Sequence, residues 1–269
     1  MIAKAVILAR GLGTRMRRDD GAAAQSADQA KVADTGLKAM IPVGRPFIDY
    51  VLSAVADAGV ERACLVIGPD HRAVRDHYVR QRPSRLAVEF AIQATARGTA
   101  DAVAAARPFT GDELFLVLNG DNYYPVPALA SLRALDAPGL AAFSCEDLTR
   151  EGIIEPARIR LFAFVAAGPV GVLSHIVEKP DDAALAAFAR PWLVSMNCWA
   201  FDASIFEACR RIEPSSRGEL ELTSAVSYAI RHLGTRFRVV RAAGPVLDLS
   251  TRADIAAAAE YLAGIEVRL

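Results

Sequence analysis

What this chain lacks narrows its chemistry first. Its four cysteines, Cys64, Cys145, Cys198 and Cys209, stand far apart and form no C-x-x-C pair. That excludes a zinc ribbon or a disulfide framework and points to free thiols in a reducing compartment. Charge of one sign is not in surplus, with 31 Lys and Arg against 31 Asp and Glu. A domain that coats nucleic acid needs excess basic residues, so that role is excluded, whereas a small basic pocket for phosphates is not. Long hydrophobic runs are missing too. The apolar start is interrupted by Arg10 and is too short for a secretory signal, and the longest uncharged stretch, 161–175, contains two glycines and a proline. Neither reaches a membrane span. The expectation is a soluble, cytoplasmic protein with no membrane and no nucleic-acid partner. The four histidines, His71, His77, His175 and His232, are scattered and mark no general base.

What remains is a chain of 269 residues, 53% apolar and 23% charged. That is enough for a sizeable core, and disorder is not expected. Strand and helix patterns alternate through the first half. Residues 3–9, 63–67, 86–92 and 114–118 read as short apolar strands. Helices are expected over 46–58, from a cap at Asp70 to Gln81, and over 99–107. Continuous apolar strands between helices predict an α/β fold, Rossmann-like, with a mainly parallel sheet flanked by helices. In the second half, strands at 159–165, 170–177 and 192–201 predict an added, smaller antiparallel portion, and 219–232 reads as a helix. No linker divides the chain, so one domain with two lobes is expected, 1–125 and 126–269. The polar, low-complexity stretch 17–36 reads as a mobile loop.

The loop Gly11-Leu12-Gly13-Thr14-Arg15 directly follows the first strand. Glycines let backbone N–H groups approach phosphate oxygens, and Arg15 adds a forked cation. A dinucleotide fingerprint fails because Met16 occupies the third glycine position, and no Gly-Lys-Ser/Thr follows to make a P-loop. An ordinary tight turn remains the alternative. Asp121, in Asn119-Gly120-Asp121, lies just past an apolar strand, where ligands and Mg²⁺ collect in parallel sheets; the competing reading is a plain turn. Asp248, after Val246-Leu247, is a second such carboxylate or a helix N-cap.

These motifs continue in order: GLGTRMR, LKAMIPVGRPFIDYVL, QATARGTADAV, LNGDN, EGIIE, VEKP, SSRGELELT and VLDLST. Taken together they resemble the sugar-1-phosphate nucleotidylyltransferase family, nearest its branches that transfer thymidylyl or uridylyl groups to glucose 1-phosphate. The resemblance covers residues 5–255. It implies an enzyme that joins an NTP, dTTP or UTP first, to a sugar 1-phosphate by direct attack of the sugar phosphate on the α-phosphate, releasing pyrophosphate, with Mg²⁺ as cofactor. It also implies roles. Gly11, Gly13, Thr14 and Arg15 match the triphosphate loop, and Lys38 a phosphate-holding cation. Gln93 and Gly98 match the base-reading pair, and Asp121 and Asp248 the metal carboxylates. Gly152, Glu178 and Lys179 fall where the family binds the sugar, and Arg217 where it clamps the sugar phosphate; Arg15, Lys38 and Lys179 border the reacting phosphates. A homo-oligomer is compatible with the pattern.

The chain departs from the family at several places. Arg10 replaces a glycine or alanine, and Lys38 follows Arg15 at a wider spacing, which expands the intervening segment. Glu151 stands where thymidylyltransferases tend to have tyrosine, and Asn197-Cys198-Trp199 is atypical for a sugar-facing strand. The sugar is therefore left unspecified. Two other classes stay in view: a catalytically silent nucleotide-sugar sensor, and a glycosyltransferase on the same scaffold. The second would leave the GLGTR loop without a task.

Overall fold

The computed structural model describes residues 1–18, 25–150 and 154–269. Its strands are β1 (Lys4–Leu8), β2 (Arg62–Ile67), β3 (Ala87–Ile92), β4 (Phe115–Asn119), β5 (Asn122–Tyr123), β6 (Gly139–Ser144), β7 (Ala163–Ala167), β8 (Leu173–Glu178), β9 (Leu193–Phe201), β10 (Arg238–Ala242) and β11 (Leu247–Asp248). The main sheet runs β10-β6-β9-β4-β1-β2-β3, with β7 and β8 added beside β9. Pairings β1–β2, β1–β4, β2–β3 and β6–β10 are parallel. The antiparallel portion enters through β9, which pairs with β4, β6 and β7, and through the β7–β8 hairpin. A separate two-stranded ribbon joins β5 to β11.

β1 is KAVIL with every residue buried. Ala5 and Ile7 join one core and Val6 and Leu8 the other, so both faces are covered and the strand shows a continuous apolar run. From β1 the chain steps outward to β2 and β3, then returns to β4 on the opposite side of β1. The carboxyl ends of β1 and β4 therefore diverge, which opens a crevice at the switch point of the sheet.

Five helices are needed to place the site: α1 (Thr14–Arg17), α2 (Ala27–Thr35), α3 (Phe47–Asp57), α4 (Arg72–Gln81) and α5 (Thr99–Ala105). α3 is buried along almost its whole length. It carries Asp49 into the interior, where Tyr78 Oη donates to it over 2.8 Å, His77 Nε2 lies at 2.8 Å and Arg45 Nε donates over 3.3 Å. His77 thus serves packing between α3 and α4.

Several expectations need correction. The stretch read as a mobile loop contains α2, which starts with a reciprocal capping box between Ser26 and Gln29 and ends at Gly36. Only residues 19–24 of it lie outside the described residues. Asp70 does not cap α4; His71 holds that position with no side-chain cap. The strand expected over 159–165 is a 3₁₀ turn, Pro156–Leu161, followed by β7. The hairpin turn from Gly168 to Gly171 delays β8 to Leu173. The helix expected from 219 begins at Leu222, because Leu220 is bonded to Arg97 and Ala100 instead of to its own helix. The 99–107 helix breaks after Ala105, and a second short one follows over Arg107–Thr110.

Candidate functional site

At the switch point lies a cleft of about 330 Å³. Its lining includes the loop from Arg10 to Arg15, Lys38, Gln93, Gly98, Asp121, Glu219 and Ser250. The loop leaves β1 beside the β4 turn, where Gly120 N donates to Leu8 O over 2.9 Å. Gly13 adopts φ +59°, and a Cβ there would stand 2.2 Å from Gly36 O. Two glycines therefore bring the end of α2 against the loop. That contact closes the wide gap between Arg15 and Lys38: residues 27–35 form α2, whose end returns the chain to the loop, where Lys38 N donates to Gly36 O over 2.9 Å. The Lys38 side chain then lies against Gly11.

The far end of the cleft is built by β3 and α5. Gln93, 4% exposed, directly follows β3 and donates from Nε2 to Gly98 O at 3.0 Å and to Asp101 Oδ2 at 2.8 Å. Gly98 has φ +116°, and a Cβ would meet Leu220 O at 2.5 Å, so the position requires glycine. The 219–222 segment is stitched to it by Leu220 N to Arg97 O at 2.7 Å and by Leu222 N to Thr99 Oγ1 at 2.9 Å.

Asp121 and Asp248 meet across the β5–β11 ribbon, where Asp248 is registered with Asn122 and Leu249 N donates to Asp121 O over 2.9 Å. Lys38 pairs with Asp121. Arg158 spans Asp248 and Asp254, 2.5 Å from each. Burial, followed by the charge of Asp121, pushes the Asp248 carboxyl up to about 6, against the pull of Arg158 and Lys38. Two neighbouring carboxylates, both partly withdrawn from water, fit a hard divalent cation. Among the described residues no group of three or more His, Cys, Asp and Glu is gathered. A Mg²⁺ site completed by substrate phosphates and water needs no third carboxylate.

Asp248 does not line the cleft, and neither do Glu178, Lys179 and Arg217, which cluster with Glu221 next to the 219–222 segment. Arg217 Nη2 lies 2.8 Å from Glu221 and 4.0 Å from Glu178. Burial raises the Glu178 pKa and Glu221 adds to the rise, while Lys179 and Arg217 oppose it. Lys179 has φ +45°, a strained conformation for a side-chain-bearing residue, and its N–H is held by Phe162 O at 3.2 Å. Gly152 lies outside the described residues; the strand paired with Glu178 is β7, through Ala163.

Three participants escaped the sequence reading. Arg158 and Arg252 sit in polar turns that look solvent-exposed in one dimension, and nothing in their spacing announces burial. Asp101 was legible only as half of an i,i+4 pair with Arg97. Arg10 also lines the cleft and donates to Ala94 O over 3.2 Å.

The sequence profile of the nucleotidyl transferase family matches residues 4–243, and the chain belongs to that family. Among relatives, UTP–glucose-1-phosphate uridylyltransferase AglF of Haloferax volcanii is 26% identical over 248 residues, covering 91% of this chain and 90% of that protein. Glucose-1-phosphate thymidylyltransferase of Streptomyces griseus is 29% identical over 228 residues, 84% of this chain and 57% of that one. The low-salt glycan biosynthesis nucleotidyltransferase Agl11 of Haloferax volcanii is 23% identical over 225 residues; the match spans 83% of this chain but only 56% of Agl11. A crystal structure of UDP-glucose pyrophosphorylase complexed with UDP-glucose shares the fold, with TM-score 0.77 at 19% identity over 99% of this chain and all of that one. Among the described residues no helix is long and apolar enough to cross a membrane.

Proposed function

We propose that this nucleotidyl transferase joins a pyrimidine nucleoside triphosphate, dTTP or UTP, to a sugar 1-phosphate and releases pyrophosphate. One observation carries the proposal. A glycine loop, two cations and Asp121 line the cleft at the switch point of the sheet, Asp248 adjoins Asp121 across the β5–β11 ribbon, and a mixed-charge cluster of Lys179 and Arg217 with Glu178 and Glu221 stands beside them. Two polyanions have to meet for such a transfer, so the protein's task is positioning and charge neutralisation rather than proton removal.

In this reading the N–H groups of Gly11, Gly13 and Thr14 cradle the triphosphate, with Arg15 and Lys38 offsetting its charge. Lys38 exchanges its carboxylate partner for phosphate oxygens as the nucleotide arrives. Gln93 and Gly98 receive the base. Glu178 accepts hydrogen bonds from sugar hydroxyls, Gly152 borders the same sugar, and Lys179 and Arg217 hold the sugar phosphate. An oxygen of that phosphate attacks the α-phosphorus, the bond to the β-phosphate oxygen breaks, and the electron pair leaves with pyrophosphate. Asp121 and Asp248 would hold Mg²⁺, which when bound supplies charge neutralisation on the phosphates. Residues 1–125 form mainly the nucleotide lobe and 126–269 mainly the sugar-phosphate lobe. The protein works in the cytoplasm.

The test is a panel of nucleoside triphosphates against sugar 1-phosphates, following pyrophosphate release. A single productive pair with dTTP or UTP, abolished by EDTA, is expected. Asp121→Asn and Asp248→Asn should each lower turnover by orders of magnitude with the fold intact. No release from any pair would sink the proposal and favour a binding protein. Release of free nucleoside diphosphate from a finished nucleotide sugar would point to a glycosyltransferase.

A further inference from the structure

We infer that Asp101 sets the base preference of this cleft, by fixing which way the Gln93 amide faces. The inference rests on reading Gln93 as the group that meets the base, and it treats Asp101 as a positioning residue.

A glutamine amide has one end that donates and one that accepts, and a free one can turn over to suit either partner. Gln93 is not free. Both hydrogens of its Nε2 are engaged, one by the carbonyl of Gly98 at 3.0 Å and one by Asp101 Oδ2 at 2.8 Å. Turning the amide would put Oε1 against a carbonyl and a carboxylate, two acceptors with no hydrogen between them. The flipped state would also leave a buried carboxylate oxygen unpaired, because the Asp101 side chain is only 14% exposed. Asp101 is itself tethered, since Arg97 Nη2 donates to its other oxygen over 2.5 Å. It stands in the first turn of α5, whose preceding residue is the constrained Gly98.

The amide is therefore locked with its oxygen as the end left for a ligand. No residue among those described donates to Gln93 Oε1, and Gln93 borders the cleft, whereas Asp101 does not. An acceptor facing the base selects a ring that offers a donor. Uracil and thymine carry a hydrogen on N3; cytosine presents a bare N3 lone pair there and keeps its donor on the exocyclic N4, so in the pose that suits uracil acceptor would meet acceptor. Discrimination of this kind is large when the mismatch leaves polar groups unpaired in a dry site. An unrestrained glutamine could turn its amide to suit cytosine; the aspartate removes that option.

The experiment measures UTP, dTTP and CTP two ways: binding by calorimetry without sugar phosphate, and kcat/KM with the sugar phosphate that the panel identifies. The wild-type protein should favour UTP or dTTP over CTP by at least about tenfold. In Asp101→Asn, which keeps the shape but can either accept or donate, that ratio should fall several-fold towards parity, through KM more than kcat. Arg97→Gln should shift it in the same direction by a smaller factor. The ratio is taken on one sample, so partial unfolding cancels, and a merely structural loss would weaken all the nucleotides alike. A strong uridine or thymidine preference that Asp101→Asn leaves unchanged within twofold would overturn the role of Asp101 while leaving Gln93 as the base reader. A wild-type preference for CTP or a purine would overturn both. Binding that shows the uridine preference, and its loss in Asp101→Asn, without any transfer would uphold the inference and sink the proposed reaction instead.

Discussion

Replacing Arg252 by methionine should loosen the segment that carries the phosphate loop. Arg252 is 4% exposed and reaches across the fold. Its Nε donates to Met16 O over 3.0 Å, Nη2 to Asp34 over 2.6 Å and Nη1 to Gln25 over 3.3 Å. Met16 follows Arg15 in α1, Asp34 lies in α2, and Arg252 comes four residues after Asp248. One side chain thus ties both helices of the expanded segment to the metal side of the cleft. The Asp34 pair counts for little, about 0–1 kcal/mol, because Asp34 is 69% exposed and keeps its hydration when the partner goes. The bond from a charged donor to the carbonyl of buried Met16 counts for more, about 1.5–3 kcal/mol. Methionine retains much of the apolar stem, so the cavity cost stays small. No charge is orphaned in the interior, so the roughly 3–5 kcal/mol of a broken buried pair does not apply. The expected loss is about 2–3 kcal/mol, concentrated in α1 and α2. Hydrogen exchange in those helices should accelerate by roughly 30-fold or more at about 1.4 kcal/mol per decade, and the KM for the nucleotide should rise more than kcat falls. If exchange in α1 and α2 and nucleotide affinity both stay at wild-type values, Arg252 is no tether and the reasoning fails.

Two further outcomes follow from the same geometry. Gly13→Ala forces a Cβ onto the carbonyl of Gly36 in a left-handed conformation, and backbone cannot give way as a side-chain tip would; nucleotide affinity should drop by an order of magnitude, and calorimetry finding it unchanged would deny the loop its role. Glu178→Gln tests the raised carboxyl. A pKa raised in the folded state makes the ionised form a cost to stability, felt fully above the folded pKa and fading as pH falls towards the unfolded value near ~4.3. The variant should therefore be more stable than the parent at pH 8 and lose that advantage near pH 4. Denaturant midpoints that differ equally at both pH values would rule this out.

Much of the architecture was legible in one dimension because its causes are local. The continuous apolar runs of β1, β2 and β4 announce strands covered on both faces, and Gly11 and Gly13 just past β1 announce a close backbone approach. The motif order was enough to bring Arg15, Lys38, Gln93, Gly98 and Asp121 to one cleft. Even α2 had a local signature in Ser26, Gln29 and Gly36, hidden only by the alanine-rich composition around it.

What only the tertiary structure decided are the partners, because burial and pairing depend on residues far apart in the chain. Leu220 looks like the start of a helix, yet it is drawn away to bond Arg97 and Ala100. The wide spacing from Arg15 to Lys38 looks like an interruption, yet the contact of Gly13 with Gly36 closes it. Asp248 is a lone carboxylate in sequence; folded, it is withdrawn from water beside Asp121, and burial first and the charge of Asp121 second raise its pKa against the pull of Arg158. The sequence by itself set which groups were available and in what order. Folding chose their neighbours, and in a low-dielectric cleft the neighbours determine what a charge or an amide can do.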